Sequence, residues 1–271
     1  MKFGLSTLGC PAWSLERASE AAIEYRYDGV ELRLLDGEII TPAILKANRS
    51  RLVGLFGSGK PVVVGLGTSV RFTSGDPEVR AAMTAELREF IAIAGGLGIP
   101  LVRIFGGSVT DGAGDDEAVR RVAEGLRSCS VDAERAGVVI ALETHDDFSR
   151  SAMVARALAD VPSRAAGALW DVHHPYRMKE PVAEVWTNLS SRLVHVHLKD
   201  ARRRPDGDWD LVLLGEGEVP CREILRALTM RDYNGFVVAE WEKKWHPEIE
   251  EPEIAFPQHI EVMRRWVADL T

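Results

Sequence analysis

The sequence predicts a single (β/α)8 barrel over residues 1–271, and three observations carry that expectation. Short apolar runs alternate with longer helical stretches. The alternation occurs eight times, at about 34 residues per unit, as a barrel of roughly 250 residues requires. No stretch reads as a linker to a second domain. Short buried strands separated by helices pair in parallel, and eight such units close on themselves.

The elements follow in order. FGLSTL (3–8) reads as the first strand, with a helix near 14–26. GVELRLL (29–35) is the second, followed by helix 41–50. PVVVGLG (61–67) precedes a long helix over 77–97, where Ala, Leu and Ile recur at helical spacing. PLVRIFG (100–106) leads to helix 115–136, VVIALETH (138–145) to helix 149–160, and AGALWDVHH (166–174) to helix 181–191. LVHVHLKD (193–200) is followed by a polar loop, 202–210, and helix 220–231. FVVAEWEK (236–243) is the last strand, WHPEIEEPE (245–253) a solvated loop, and helix 256–270 closes the chain. A doubly wound open sheet is the runner-up, but the first strand–helix turn, STLGCPAWS, lacks the GxGxxG fingerprint.

Composition narrows the function. The net charge is −8, from 33 Lys and Arg against 41 Asp and Glu, which argues against a nucleic-acid or anionic-membrane binder. Cys10, Cys129 and Cys221 are odd in number and form no CxxC pair, so a reducing cytosol fits best. No apolar run of about 18 residues appears, so a soluble, cytoplasmic protein is expected.

A barrel of this kind keeps its chemistry at the C-terminal ends of the strands. Strand five ends at Glu143, Thr144 and His145, and strand six at Asp171, His173 and His174. Strand seven carries His195, His197, Lys199 and Asp200, and strand eight ends at Glu240 and Glu242. Five of the seven histidines fall in these segments. Glu143 and Asp171 are 28 residues apart, and Asp171 and His197 are 26 apart, about one unit each. Glu240 follows His197 by 43, one unit plus the polar loop. These four side chains are therefore expected to converge on one divalent ion. Three carboxylates and one imidazole suit Mn2+, Mg2+ or Co2+, with Zn2+ also compatible. His195 shares the face of His197 but lies deeper, where a hydrogen-bonded core role is expected.

With those segments in view, the chain resembles the xylose isomerase-like TIM barrels, the sugar phosphate isomerase and epimerase group. ALETH, WDVHH, HVHLKD and VVAEWE carry the resemblance, joined by DGVELR, GIPLVRIFGG and GEGEVP. It implies that Glu143, Asp171, His197 and Glu240 are the metal ligands, Mn2+ first among the candidates. It implies that His174 of the Asp-x-x-His pair contacts a small sugar or polyol substrate. It puts a substrate-binding Arg six residues after the metal His, at Arg203, flanked by Arg202 and Arg204. Ser149 stands where ketohexose 3-epimerases of the family have a substrate-binding Glu, a departure from that pattern. The three-zinc endonuclease branch is disfavoured, because DWDLVLLGEG contains no histidine. Family members are often dimers or tetramers, so a homo-oligomer is compatible.

The expected chemistry is enediolate formation on a metal-chelated ketose. Glu143 and Glu240 would remove and return the proton from opposite faces, giving epimerisation, or isomerisation if the proton returns to the neighbouring carbon. Lys199, His145 and Arg103 are further candidate substrate contacts; for Arg103 an ion pair with Glu31 is the structural alternative. A metal-dependent dehydratase of a keto-cyclitol or 3-dehydroshikimate-like substrate is the alternative reading. A non-catalytic sugar-binding barrel is a third.

Overall fold

The computed structural model describes residues 1–57 and 60–270. Each strand–helix unit begins with a short apolar segment. These are β1 (Lys2–Ser6), β2 (Gly29–Leu32) with a small outlying hairpin β3 (Leu34–Leu35) and β4 (Glu38–Ile39), β5 (Val62–Gly67), β6 (Leu101–Ile104), β7 (Val139–Glu143), β8 (Ala166–Asp171), β9 (Leu193–Leu198), a second hairpin β10 (Asp200–Arg203) and β11 (Trp209–Val212), and β12 (Phe236–Ala239). The eight long-range strands pair in parallel and close in the order β1-β12-β9-β8-β7-β6-β5-β2. Between them lie α1 (Leu15–Glu24), α2 (Pro42–Ala47), α3 (Arg49–Leu55), α4 (Pro77–Leu97), α5 (Asp115–Ala136), α6 (Ser151–Ala159), α7 (His173–Arg177), α8 (Val182–Leu189), α9 (Cys221–Thr229) and α10 (Pro252–Ala268). The (β/α)8 expectation holds. Among the described residues, no helix is long and apolar enough to cross a membrane.

Local chemistry sets the boundaries. Asp76 caps α4 through Glu78 N, Pro77 opens it, and left-handed Gly98 ends it. Gly137, also left-handed, ends α5. The helix expected over 41–50 is two helices that meet at Asn48, whose backbone (φ −104°, ψ 12°) departs from the helical range while its side-chain amide joins its backbone N–H on the Ile44 carbonyl. The run expected as strand through 174 stops at Asp171, whose Oδ1 accepts the His173 amide and turns the chain into α7. The loop expected over 202–210 is largely hairpin, closed by Pro205, Asp206 and left-handed Gly207.

The main apolar core fills the space between strands and helices, with Leu87, Phe90, Val122 and Leu126 packed against the outer faces of the strands. Trp170 and Trp241 belong to this layer, and Trp241 Nε1 donates to the Glu250 carbonyl. Inside the barrel, Leu101, Ala141 and Leu169 form a separate small cluster. Two residues further along the same strand faces stand Arg103, Glu143 and Asp171, now at the C-terminal mouth.

His259 of α10 is buried against Trp241, ring centroids 5.2 Å apart, and burial pushes its pKa from 6.5 down to about 4. Protons therefore bind the unfolded chain first. The neutral ring's contribution is complete above pH 6.5 and is lost as the pH falls from there towards 4. Denaturation between about pH 7 and pH 4 should show His259→Phe losing less stability than wild type, by roughly 2 kcal/mol. Parallel pH profiles would contradict this origin of acid sensitivity.

Candidate metal centre and active site

Four adjacent strands of the closed barrel, β7, β8, β9 and β12, deliver Glu143, Asp171, His197 and Glu240. One ligand atom from each lies within 4.8 Å of the others, and all four side chains are buried. His197 Nδ1 is 2.8 Å from Glu143 Oε1 and 3.1 Å from Glu240 Oε1. Glu143 Oε2 and Asp171 Oδ2 make no hydrogen bond; their contacts are ion pairs, with Arg103 Nε at 3.2 Å for the first and with Lys199 Nζ at 2.7 Å and His174 Nε2 at 3.6 Å for the second. Both buried oxygens keep lone pairs open to a metal ion.

The charge count points the same way. Glu31, Glu143, Asp171, Glu240 and Glu242 face Arg33, Arg103 and Lys199, which leaves two negative charges when the imidazoles are neutral. One divalent ion balances them. The residues thus fit the group that the oxygen-rich donor set implies. Burial opposes protonation of His197, but Glu240, Glu31 and Glu143 outweigh it and raise its pKa well above normal. A cation entering the ring would displace that proton. Burial pushes Asp171 up to about 7, with Lys199 opposing.

The second layer is as ordered as the first. Glu31 Oε2 lies 2.9 Å from His197 Nε2 and 3.0 Å from His195 Nε2. Burial works against the Glu31 charge, but the two imidazoles outweigh it and hold it ionised. A carboxylate accepting Nε2–H fixes the tautomer that presents the Nδ1 lone pair to the ring. His195 has the buried, hydrogen-bonded position expected of it. Three threonines just past strand ends clamp the neighbouring strand. Thr7 Oγ1 accepts the Arg33 and Leu34 amides, Thr68 Oγ1 donates to the Arg103 carbonyl, and Thr144 Oγ1 accepts the Asp171 amide. Asp200 accepts backbone amides from Ala201, Gly215, Gly217 and Val219, fastening the GEGEVP loop beside the mouth.

The remaining expected residues fall into distinct places. Arg103 pairs with Glu143, Nε to Oε2 at 3.2 Å, not with Glu31 as the sequence alternative had it. Its Nη1 donates to the Thr68 carbonyl, which aims the guanidinium at β7 rather than β2. Lys199 lies 2.7 Å from both Asp171 Oδ2 and Glu240 Oε2 and also bonds Glu242. It is therefore built into the ring rather than free for a distal contact. His174 is buried with neither ring nitrogen hydrogen-bonded, and burial together with the Lys199 charge keeps it neutral. His145 packs between Phe105 and His174, at 4.6 and 4.2 Å between ring centroids, and its Nδ1 is ion-paired with Asp146 Oδ1 at 2.9 Å. Arg203 is exposed on the β10–β11 hairpin and lines a cavity of about 750 Å3 with Tyr176, Lys179 and Trp209, none of them a ring residue. Glu31, Arg33 and the threonines escape a reading confined to the last four strands. Their signal is a Glu and an Arg two apart in an otherwise apolar strand, GVELRLL.

Comparison with known proteins agrees with this architecture. The family described as a xylose isomerase-like TIM barrel matches residues 19–266. Fructoselysine 3-epimerase of Shigella flexneri is 25% identical over 250 residues, 89% of this chain and 90% of that protein. A solved structure of an IOLI protein with a binding zinc atom is similar with a TM-score of 0.81 at 19% identity, covering 100% of this chain and 98% of that one. One of D-psicose 3-epimerase in the presence of D-fructose has a TM-score of 0.77 at 17% identity, covering 99% and 98%.

If Glu31 sets the His197 tautomer, Glu31→Gln should weaken Mn2+ binding about 10- to 100-fold, read by titration calorimetry or electron paramagnetic resonance. Unchanged affinity in a folded variant would contradict that role.

Proposed function

We propose that this chain, which belongs to the xylose isomerase-like TIM barrel family, is a divalent-metal-dependent epimerase acting on a ketose or ketose derivative. The observation that carries the reading is the convergence of Glu143, Asp171, His197 and Glu240, whose ligand atoms lie within 4.8 Å of one another, inside a cluster of five carboxylates faced by three cations. The 3-epimerase relatives support the reaction class. Mn2+ is the expected ion, and Mg2+, Co2+ or Zn2+ would suit the same donors.

Held by these four residues, a divalent ion supplies Lewis-acid polarisation of a carbonyl and its neighbouring hydroxyl. The protein's own groups handle the proton. Glu143 and Glu240 come from strands three places apart in the eight-strand ring, so they flank a substrate lying across the mouth. One carboxylate takes the proton from the carbon beside the carbonyl, and the other returns a proton to the opposite face, inverting that carbon. Their supports differ. Glu143 leans on the guanidinium of Arg103, which cannot give up a proton, whereas Glu240 leans on the ammonium of Lys199, which can. Lys199 is thus placed to resupply Glu240. Neutral His174, neither of whose nitrogens makes a hydrogen bond and whose Nε2 lies 3.6 Å from Asp171 Oδ2, is placed to hold a substrate hydroxyl.

A second reading, loss of water from a keto-cyclitol, rests on Lys199 alone, since a buried ammonium is an acid for a departing hydroxyl.

Incubation of the Mn2+-loaded protein with ketoses in D2O should place deuterium on the carbon beside the carbonyl, read by NMR. Glu143→Gln and Glu240→Gln should each lower the rate by about 10^2- to 10^4-fold. Full turnover of Glu240→Gln would remove it from the proton path. A new conjugated-enone absorbance without exchange would favour the dehydratase.

A further inference from the structure

Arg33 is a charged group at the mouth that the reading above leaves without a task. It follows β2 and shares the inward face of Glu31, two residues nearer the mouth. The Thr7 hydroxyl fixes its backbone, and the side chain is 7% exposed. Its Nη1 donates to the Gly67 carbonyl at 3.0 Å and to Ser69 Oγ at 2.9 Å. The other guanidinium nitrogens have no recorded acceptor.

Buried cations in this protein otherwise have carboxylate partners. Arg103 has Glu143, Arg121 has Asp111 and Glu117, Lys199 has three acids, and Lys243 has Glu251. Among the described residues, Arg33 alone of the buried lysines and arginines has no carboxylate within 4.0 Å. Its nearest cationic neighbour makes matters worse. A Cβ on Gly67 would stand 3.0 Å from Arg103 Nη2 and 3.4 Å from Arg33 Cδ, so both side chains pass over this one glycine. Burial first, and the Arg103 charge second, lower the Arg33 pKa to about 10. Glu240, Glu143 and Glu31 offset the Arg33 charge only at longer range, none within 4.0 Å, so its remaining N–H donors are open to an anion that reaches both guanidiniums.

The strand order says where that anion comes from. The candidate metal ligands occupy β7, β8, β9 and β12, whereas Arg33 and Arg103 rise from β2 and β6 on either side of β5. A ketose gripped at its carbonyl end by the first group would extend its far end towards the second. We propose that the substrate carries an anionic oxyacid group, a carboxylate or a phosphate, at the end remote from the reacting carbons, and that Arg33 with Arg103 beside it receives that group. This rests on the epimerase reading and narrows it to acidic ketoses. Guanidinium is the side chain suited to such a group, through paired N–H donors.

D-fructose, D-fructuronate and D-fructose 6-phosphate share one skeleton and differ only at the sixth carbon. Calorimetric titration of each into the Mn2+-loaded full chain should show at least one anion binding about tenfold or more tightly than fructose. Whichever anion wins identifies the group. Arg33→Met should abolish the preference and Arg33→Lys should keep part of it, while both retain Mn2+ binding and a native circular-dichroism melt. Arg33→Gln serves if the Met variant does not fold. Two results overturn the proposal: neither anion binding more tightly than fructose, or a preference that survives Arg33→Met. Wild type that binds Mn2+ and exchanges deuterium into fructose without anion preference sinks this inference alone. Wild type that binds no Mn2+ sinks the epimerase reading itself.

Discussion

Glu31, Glu143, Asp171, Glu240 and Glu242 bring five carboxylates into a space almost closed to water, where unpaired charge is strongly unfavourable. The chain answers part of that cost itself, with Arg103 against Glu143 and Lys199 among Asp171, Glu240 and Glu242. With Arg33 counted as a third cation at longer range, two charges remain when the imidazoles are neutral. A barrel is suited to this arrangement because neighbouring strands, each rigidly paired, can each direct an inward side chain towards one rim. The same acids would repel one another apart in a less constrained fold.

Holding the acids in place is the work of groups that never touch substrate. Glu31 orients the imidazole of His197, the hydroxyls of Thr68 and Thr144 clamp β6 and β8, and Asp200 gathers three amides of the loop after β11. Gly217 belongs to the same logic, because a Cβ there would meet Asp200 Oδ1 at 2.1 Å. Precision at the ring is therefore set by buried hydrogen bonds one layer out, where a single lost acceptor leaves an orphaned amide.

Much of this was legible in the residues. The parallel barrel followed from strand runs such as PVVVGLG and LVHVHLKD alternating with long helices. The convergence of Glu143, Asp171, His197 and Glu240 followed from unit-length spacing, because equivalent positions in successive units meet at one rim. Less legible were features set by side-chain direction. Arg103 turns towards Glu143 because the Thr68 carbonyl pulls its guanidinium there, and nothing in its spacing says so. Lys199 reads as a free cation until its three acids are seen around it. The 202–210 segment reads as loop from its charges, although its Pro-Asp-Gly turn permits a hairpin. Glu31 on β2 and Arg33 just after it are distant in sequence from the four candidate metal ligands, and only closure of the barrel brings them round.

Anomalous diffraction from crystals grown with Mn2+ tests the central claim most directly. The account predicts one peak per chain within about 2.5 Å of Glu143, Asp171, His197 Nδ1 and Glu240 together, with Lys199 drawn towards Glu242. Manganese elsewhere, such as between Glu31 and His195, or no manganese with the Lys199 ammonium still wedged between Asp171 and Glu240, would contradict it.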